Sequence, residues 1–131
     1  MKGKINVFVY GTLRKHELNH HLLQNAICIS TKCWTYGILY NTGHGYPTMV
    51  NESNQKVIGE LYRISKEELK DLDHLEGYLE PEHMNNDYER IVSPIYFEDK
   101  TITAYTYVYP VSKVSDYKVI GTGDWKSISN R

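Results

Sequence analysis

Long apolar segments and an excess of charge of either sign are both missing from the 131-residue sequence. No apolar run approaches the roughly 20 residues of a transmembrane helix, and the N-terminus has no signal-peptide core followed by a cleavage site. The 15 lysines and arginines nearly balance the 16 aspartates and glutamates, which argues against a nucleic-acid-binding surface. We therefore expect a cytoplasmic protein whose partners are small molecules, with no nucleic acid and no membrane among them.

Cysteine is also scarce, since Cys28 and Cys33 are the only two. Two cysteines make neither a disulfide framework nor a complete zinc site. Both lie in or beside a segment rich in strand-forming residues. We interpret them as buried thiols.

Phenylalanine is rare, with 2 residues against 12 tyrosines. Tyrosine rings can pack by their faces and still line a polar pocket. Tyrosine is equally frequent in ordinary β-strands, so the count alone does not distinguish a pocket from a sheet.

The first expected strand, residues 5–10, leads directly into Gly11. Its polar positions are so few that both faces are predicted to be buried, as in the centre of a sheet or barrel. A glycine turn after such a strand can leave backbone N–H groups pointing at a ligand. The turn is therefore a candidate anion-binding loop, with an ordinary turn glycine as the alternative. Arg14, just after the turn, is expected at the surface, with contact to a carboxylate as the alternative.

Residues 65–77 carry the clearest helix signals. Ser65 followed by Glu68 forms a capping box, and a leucine stripe continues to Gly77, a typical helix end. Glu76 then lies at the negative end of the helix dipole, and partial burial beside Asp73 is expected to raise its pKa. A carboxylate with a raised pKa is a better base. The alternative is a solvated glutamate of the last helical turn.

Other elements follow from periodicity and turn residues. A helix of two to three turns is expected after the Gly11 turn, because leucine, alanine and isoleucine recur at helical spacing over residues 18–27. Further predictions are a strand at 31–40, a loop at 41–45, a hairpin of strands 46–50 and 57–62 with its turn at 52–55, a polar loop at 80–86, strands 88–97 and 102–109, and a short terminal helix capped by Asp124. Arg90 is interpreted as a partly buried pairing residue.

Some six strands, about two main helices and several hairpins indicate an α+β fold. Few of the strands look like exposed edges, and closure of the strands into a small barrel would explain this. With 40% hydrophobic residues the chain can form one sizeable core, and it is too short for two ordinary domains. A single domain over residues 1–131 is therefore expected.

Six motifs that occur in order along the chain resemble the gamma-glutamylcyclotransferase-like family, specifically its gamma-glutamylamine branch and related bacterial proteins. They are residues 7–14 (VFVYGTLR) with Asn19 and His20, residues 36–40 (YGILY) with Thr42, Gly43, Tyr46 and Pro47, residues 59–62 (GELY), residues 72–78 (LDHLEGY), residues 88–90 (YER) and residues 123–125 (GDW). Each motif is a weak signal by itself, but six in the family's order specify the fold. The sequence departs from the family pattern at His16, where members usually carry glycine, and this affects the loop shape and substrate choice.

The resemblance implies a fold and a set of site residues. The fold is a small mixed-sheet β-barrel with flanking helices. The substrate-binding residues are Tyr10, Gly11, Thr12 and Leu13, which we call the glycine loop, and Glu76 is the catalytic proton acceptor. The implied substrate is a small gamma-glutamyl amine or amide.

Cyclotransfer makes modest demands on a protein. The α-amine of the substrate attacks its own γ-carbonyl, releasing 5-oxoproline and a free amine, so the substrate itself supplies both nucleophile and electrophile. One carboxylate can carry the proton, and a loop of N–H groups can stabilise the oxyanion. We therefore expect an enzyme that needs no cofactor, no metal and no covalent intermediate.

Two alternatives belong to other functional classes. His16, Glu17 and His20 match the zinc-protease pattern H-E-x-x-H, but a third ligand is missing at position 26, which is alanine. The second alternative is a non-catalytic binding module that uses the glycine loop to hold a carboxylate ligand. Glu76 argues against this module, because an anion-binding pocket gains nothing from a buried negative charge.

Overall fold

The computed structural model describes residues 5–52, 54–129 and 131. Within these residues the chain forms eight strands, one α-helix and three short 3-10 helices. The strands are β1 (Ile5–Val9), β2 (Ile27–Tyr36), β3 (Ile38–Asn41), β4 (Pro47–Val50), β5 (Lys56–Ile64), β6 (Glu89–Phe97), β7 (Lys100–Val108) and β8 (Lys118–Val119). The α-helix is α1 (Lys66–Glu76), and the 3-10 helices are His20–Leu23, Val111–Lys113 and Trp125–Ser127. None of the helices in the described residues is long and apolar enough to span a membrane.

Five strands form a closed barrel in the order β1-β5-β2-β6-β7. The barrel is mixed, because β1 pairs in parallel with β7 while the other neighbours are antiparallel. Strands β4, β3 and β8 form a separate three-stranded sheet. Closure leaves no open edge in the five-stranded sheet. The predicted α+β fold with a small mixed barrel is confirmed.

Strand β1 is covered on both faces, as its sequence predicted. Phe8 belongs to one buried apolar cluster, whereas Val7 and Val9 belong to a second cluster that also contains Leu72 of α1. Period-2 alternation therefore makes one short strand join the barrel interior to the helix packed outside it. The packing on both faces of β1 therefore fixes the position at which the glycine loop begins.

Helix α1 begins and ends as predicted. The Ser65 hydroxyl accepts the Glu68 N–H at 3.1 Å, and the Glu68 carboxylate accepts the Ser65 N–H at 2.8 Å, which completes the capping box. Gly77 ends the helix with φ at 65°, a left-handed conformation that favours glycine. Fully buried Leu72 anchors the helix against the barrel.

The helix predicted over residues 18–27 is wrong. Only the 3-10 turn His20–Leu23 is present, and Leu18 is 80% exposed. The Asn19 amide donates to the Thr12 hydroxyl at 2.9 Å, and the His20 Nδ1–H donates to the Leu13 carbonyl at 2.9 Å. These side-chain bonds fold the segment back onto the glycine loop and compete with a regular helix.

The hairpin predicted between strands 46–50 and 57–62 is also wrong. Strand β4 pairs with β3, and β5 pairs with β1 and β2 in the barrel. Strand β5 is buried along most of its length, so it needs neighbours on both edges and leaves β4 to the second sheet. The predicted turn at 52–55 includes Ser53, which lies outside the described residues.

The single strand predicted at 31–40 is two strands in two different sheets, broken at Gly37. A Cβ at Gly37 would meet the end of the Met49 side chain and lie 3.0 Å from the Val50 carbonyl oxygen, so the corner leaves little room for a side chain. Cys33 is buried as expected, but Cys28, near the start of β2, is exposed, which corrects its interpretation as a buried thiol.

The hairpin of β6 and β7 is confirmed. Asp124 also caps its short helix as predicted, by accepting the Lys126 N–H at 2.9 Å.

His16 adopts φ of 70°, the left-handed region that side chains other than glycine enter at a cost. Glycine enters this region without such a cost, which fits the glycine that the family resemblance implies at this position. His16→Gly is expected to raise the free energy of unfolding by up to about 1 kcal/mol, because glycine relieves this strain. His16→Val should lower it by at least about 1 kcal/mol, since a β-branched side chain fits this region worst. Denaturant unfolding of both variants checks this, and a valine variant as stable as wild type would contradict it.

Candidate active site

A cavity of about 500 Å³ opens where the end of β1 meets the end of α1. Its volume lies within the roughly 300–1,000 Å³ of small-molecule sites. All five predicted site residues line it, namely Tyr10, Gly11, Thr12, Leu13 and Glu76. The structure thus brings together residues that are more than sixty positions apart in the sequence. Their roles stay predictions.

In the last three residues of the glycine loop the carbonyl groups are hydrogen-bonded, whereas the N–H groups have no partner among the described residues. The Gly11 carbonyl accepts the Arg14 N–H at 3.0 Å, and the Thr12 carbonyl accepts the Asn19 N–H at 2.8 Å. Within the part of the chain that the structure describes, the N–H groups of Gly11, Thr12 and Leu13 have no hydrogen-bond partner. Unpartnered backbone donors are costly unless water or a ligand satisfies them. Three such donors on residues that line a cavity suit a carboxylate or an oxyanion as the ligand.

Gly11 is required here for space. A Cβ at this position would lie 2.7 Å from Cγ and 2.8 Å from Cδ of Pro47. A proline ring is rigid and cannot swing away. Any side chain at position 11 therefore displaces either the glycine loop or the start of β4.

Glu76 lies at the cavity wall, and burial raises the pKa of its carboxyl group to about 7. Among the described residues that line the cavity there is no lysine or arginine to offset the cost of a buried charge. The direction of this shift agrees with the sequence prediction. Asp73, proposed as a second cause, is engaged elsewhere.

Asp73 ties the last turns of α1 to the barrel. It accepts a hydrogen bond from the Tyr107 hydroxyl at 2.6 Å and forms an ion pair with Arg90 at 2.5 Å. The Arg90 guanidinium also lies over the rings of Tyr78 and Tyr105, at 4.7 and 4.4 Å. Arg90 is therefore the partly buried pairing residue that was predicted, and it holds the helix that carries Glu76.

Tyrosines form much of the remaining wall. Alternation places Tyr105, Tyr107 and Tyr109 on one face of the strand predicted at 102–109 and suggests that one of its two faces lines a cavity, without saying which. Tyr88, Tyr107 and Tyr109 line the cavity; Tyr107 lies on β7 and Tyr109 follows directly after this strand. The Tyr10 hydroxyl donates to the Tyr107 carbonyl at 2.7 Å, and burial followed by the Glu76 charge holds its pKa well above the ordinary value. This phenol therefore stays neutral and acts as a donor.

Two loops add polar groups that the sequence prediction did not include. His44 comes from the loop between β3 and β4, and Asp87 precedes β6. Asp87 is held near α1 by its backbone N–H, which donates to the Gly77 carbonyl at 2.9 Å. No sequence signal marks either residue, because both lie in irregular segments.

The H-E-x-x-H segment is not a helix in the structure. His16 is exposed, Glu17 forms an ion pair with Arg131 at 2.8 Å, and His20 is bonded to the glycine loop. The zinc-protease arrangement needs both histidines on one helix face, one turn apart. In the described residues no group of three or more His, Cys, Asp or Glu side chains is placed to hold a metal ion.

Comparison with known proteins identifies the family. The family described as "Gamma-glutamyl cyclotransferase, AIG2-like" matches residues 7–127. A relative from Niallia circulans, named gamma-L-glutamyl-butirosin B gamma-glutamyl cyclotransferase, is 41% identical over 96% of this chain and 80% of its own. The crystal structure of YkqA from Bacillus subtilis superimposes with a TM-score of 0.75 at 31% identity, over 97% of this chain and 40% of that one. An aig2-like protein from Mus musculus shares the fold, with a TM-score of 0.66 at 21% identity over 87% of this chain and 85% of that one.

The chain therefore belongs to the gamma-glutamyl cyclotransferase family, as the six motifs indicated. It is a gamma-glutamylcyclotransferase-like enzyme.

Proposed function

We propose that the protein converts a gamma-glutamyl amine or amide into 5-oxoproline and a free amine by intramolecular aminolysis. One observation carries the proposal. A carboxyl group with a pKa of about 7, that of Glu76, lines the same cavity as the three unpartnered N–H groups of the glycine loop. A proton acceptor and a set of oxyanion donors are what this reaction needs.

Glu76 serves as the proton carrier. A carboxylate with a pKa near the working pH is ionised in a large fraction of molecules and is still basic enough to take a proton from the substrate's α-ammonium. The freed amine attacks the γ-carbonyl carbon and forms the new C–N bond. Glu76 then gives this proton to the leaving nitrogen as the old C–N bond breaks, and it carries the second proton of the attacking nitrogen to the released amine, which leaves as an ammonium. No proton is gained or lost over the cycle.

The glycine loop binds and polarises the glutamyl part. Its N–H groups are aligned by the fold before the substrate arrives, so they need no rearrangement when negative charge develops on the γ-carbonyl oxygen. The neutral rings of Tyr88 and Tyr109, whose centroids are 4.3 Å apart, form an apolar wall beside the loop. Such a wall keeps water out and strengthens the hydrogen bonds within the cavity.

The direct test incubates the purified protein with a panel of gamma-glutamyl amino acids, polyamines and lysine conjugates, and measures 5-oxoproline. We expect release from at least one substrate class, unchanged by excess chelator. Loss of activity in chelator, restored by zinc, would instead favour the His16 and His20 hypothesis. A protein that binds glutamyl compounds but releases no 5-oxoproline would be the non-catalytic binding module.

The activity should depend on pH through Glu76. Its working form is the ionised one, so kcat/KM is expected to fall about tenfold per pH unit below pH 7 and to level off above it. Rate measurements from pH 5 to 9 on a neutral-chain substrate locate this midpoint. A midpoint near 4.5, the ordinary glutamate value, would mean that a carboxyl group in open solvent carries the proton.

A further inference from the structure

Three charged residues outside the proposed chemistry, each from a different sequence motif, meet in one largely buried ionic network. Arg14, Glu60 and Asp124 come from the segments YGTLR, GELY and GDW, which are 46 to 110 positions apart. Arg14 Nε lies 3.2 Å from the Glu60 carboxylate, and its terminal nitrogen lies 2.8 Å from the Asp124 carboxylate. Arg14 is only 5% exposed, which corrects the prediction that it lies at the surface, and the alternative, contact with a carboxylate, is the one observed. Its two acidic partners could not be foreseen from local sequence.

Glu60 is the centre of this network. It is 2% exposed, and its Oε1 accepts the Lys15 N–H at 2.9 Å and the Tyr62 hydroxyl at 2.7 Å. Its Oε2 faces Arg14 and, at 3.7 Å, the Lys126 ammonium. Burial alone would raise the pKa of this carboxyl group, but its hydrogen-bond donors outweigh burial and hold the pKa below the ordinary value. Glu60 is therefore a buried and fully engaged carboxylate.

The network holds the backbone that continues from the glycine loop. Glu60 takes the Lys15 N–H, and the Lys126 ammonium donates to the Lys15 carbonyl at 2.6 Å. Glu60 itself lies on β5 directly opposite Val9, the residue before the glycine loop. The loop is thus anchored at both ends to the same rigid strand, and its N–H groups remain unpaired between these anchors.

We infer that Glu60 is a positioning residue: with Arg14 and Asp124 it fixes the glycine loop so that the N–H groups of Gly11, Thr12 and Leu13 are held ready for the glutamyl substrate. This rests on the proposed function for the nature of the ligand. Glu60 acts through Lys15 and Arg14 and does not line the cavity, so it touches no substrate. Pre-aligned donors avoid the cost of ordering a loop upon binding.

The alternative is a buried ion pair that serves stability alone. Breaking such a pair always destabilises a fold, because it leaves an unpaired buried charge. Loss of stability therefore cannot distinguish the two roles. The mobility of the glycine loop in folded variants distinguishes them, together with KM and kcat measured at an unchanged pH midpoint.

The test compares Glu60→Gln and Asp124→Ser with the matched control Glu17→Gln. Gln at 60 keeps an acceptor for the Lys15 N–H but presents no charge to Arg14. Serine at 124 still caps the 3-10 helix and no longer reaches Arg14. Glu17 lies a few residues after the glycine loop in the sequence and forms a separate ion pair with Arg131. It has no contact with Glu60 in the described structure. Two kinds of measurement are made on each variant. Backbone ¹⁵N order parameters report the mobility of residues 11–13, and KM and kcat are measured on a substrate that wild type turns over.

Both network variants are expected to lower the order parameters of residues 11–13 from about 0.85 toward 0.6 and to raise KM about tenfold. In both, kcat should fall as well, because the same N–H groups stabilise the developing oxyanion, and the pH midpoint should not move, because Glu76 is untouched. The control should match wild type.

Wild-type order parameters for residues 11–13 and a wild-type KM in folded variants would overturn the inference, and the network would then be a stabilising ion pair only. If Glu60→Gln does not fold, Asp124→Ser alone decides by the same outcomes. If wild type proves inactive, the proposed function fails and the order parameters still decide whether the network fixes the loop.

Discussion

Glu76→Gln is expected to lower kcat by about 10²–10⁴-fold while the fold and the cavity stay intact. Glutamine has nearly the same shape as glutamate but cannot accept the substrate's proton at any working pH. Substrate binding should be retained or become tighter, because the variant has no buried negative charge beside the ligand. Steady-state release of 5-oxoproline, together with direct binding of a substrate analogue, separates these effects.

Glu80→Gln provides the matched control. Glu80 is four positions further along the chain, exposed, and absent from the cavity wall. The same chemical change there should leave kcat and KM unaltered. Wild-type turnover by Glu76→Gln would refute the proposed mechanism, whatever the control shows.

The same substitution has a stability signature that needs no substrate. The folded-state pKa of Glu76, about 7, exceeds its ordinary value of 4.5, so between these pH values the folded protein binds more protons than the unfolded chain. The contribution of the Glu76 carboxyl group to the free energy of unfolding is therefore at its maximum below about pH 4.5 and is lost as the pH rises through 7. Glu76→Gln should therefore gain stability relative to wild type as pH rises, by about 3 kcal/mol at most. Unfolding curves at pH 4.5 and 8 report it.

Local signals predicted local structure well. The capping box of Ser65 and Glu68 and the αL glycine at 77 are complete within one helix, so α1 was found with both of its ends. The β6 and β7 hairpin is equally local, since its alternation and its tight turn lie in one continuous segment.

Strand pairing and the 18–27 segment depend on distant residues. Whether β5 pairs with β4 or enters the barrel depends on which neighbours bury both its edges, and those neighbours are β1 and β2. The helical spacing over residues 18–27 loses to side-chain bonds from Asn19 and His20 to the glycine loop. The periodicity of the sequence shows neither which strands pair with β5 nor which side-chain hydrogen bonds compete with the helix.

The candidate site shows the same division. The glycine loop and the helix end were each recognisable as motifs, and the family resemblance assigned their roles. Their meeting in one cavity depends on β1 packing against Leu72 of α1, which no local pattern contains. The wall tyrosines and the burial of Arg14 follow from the closed barrel for the same reason.

Gly11→Val is expected to weaken binding of a glutamyl substrate or analogue by about 100-fold or more. The added side chain would overlap the Pro47 ring, whose nearest carbon lies 2.7 Å from a Cβ at this position, so the glycine loop must move out of place. Loss of two hydrogen bonds to a charged group, at about 1.5 kcal/mol each, accounts for a factor of this size. Calorimetric titration of the folded variant measures it.

Two companion variants make this result specific to the loop. Gly121→Val introduces the same side chain where a Cβ would meet nothing within 4 Å, so binding there should equal wild type. Gly11→Ala should weaken binding through the same overlap, and adding Pro47→Ala, which removes the two clashing ring carbons, should recover much of the loss. Recovery in the double variant would identify the proline contact as the reason that residue 11 is glycine. Unchanged affinity in a folded Gly11→Val protein would instead remove the loop from the binding site, and the three free N–H groups would then need another partner.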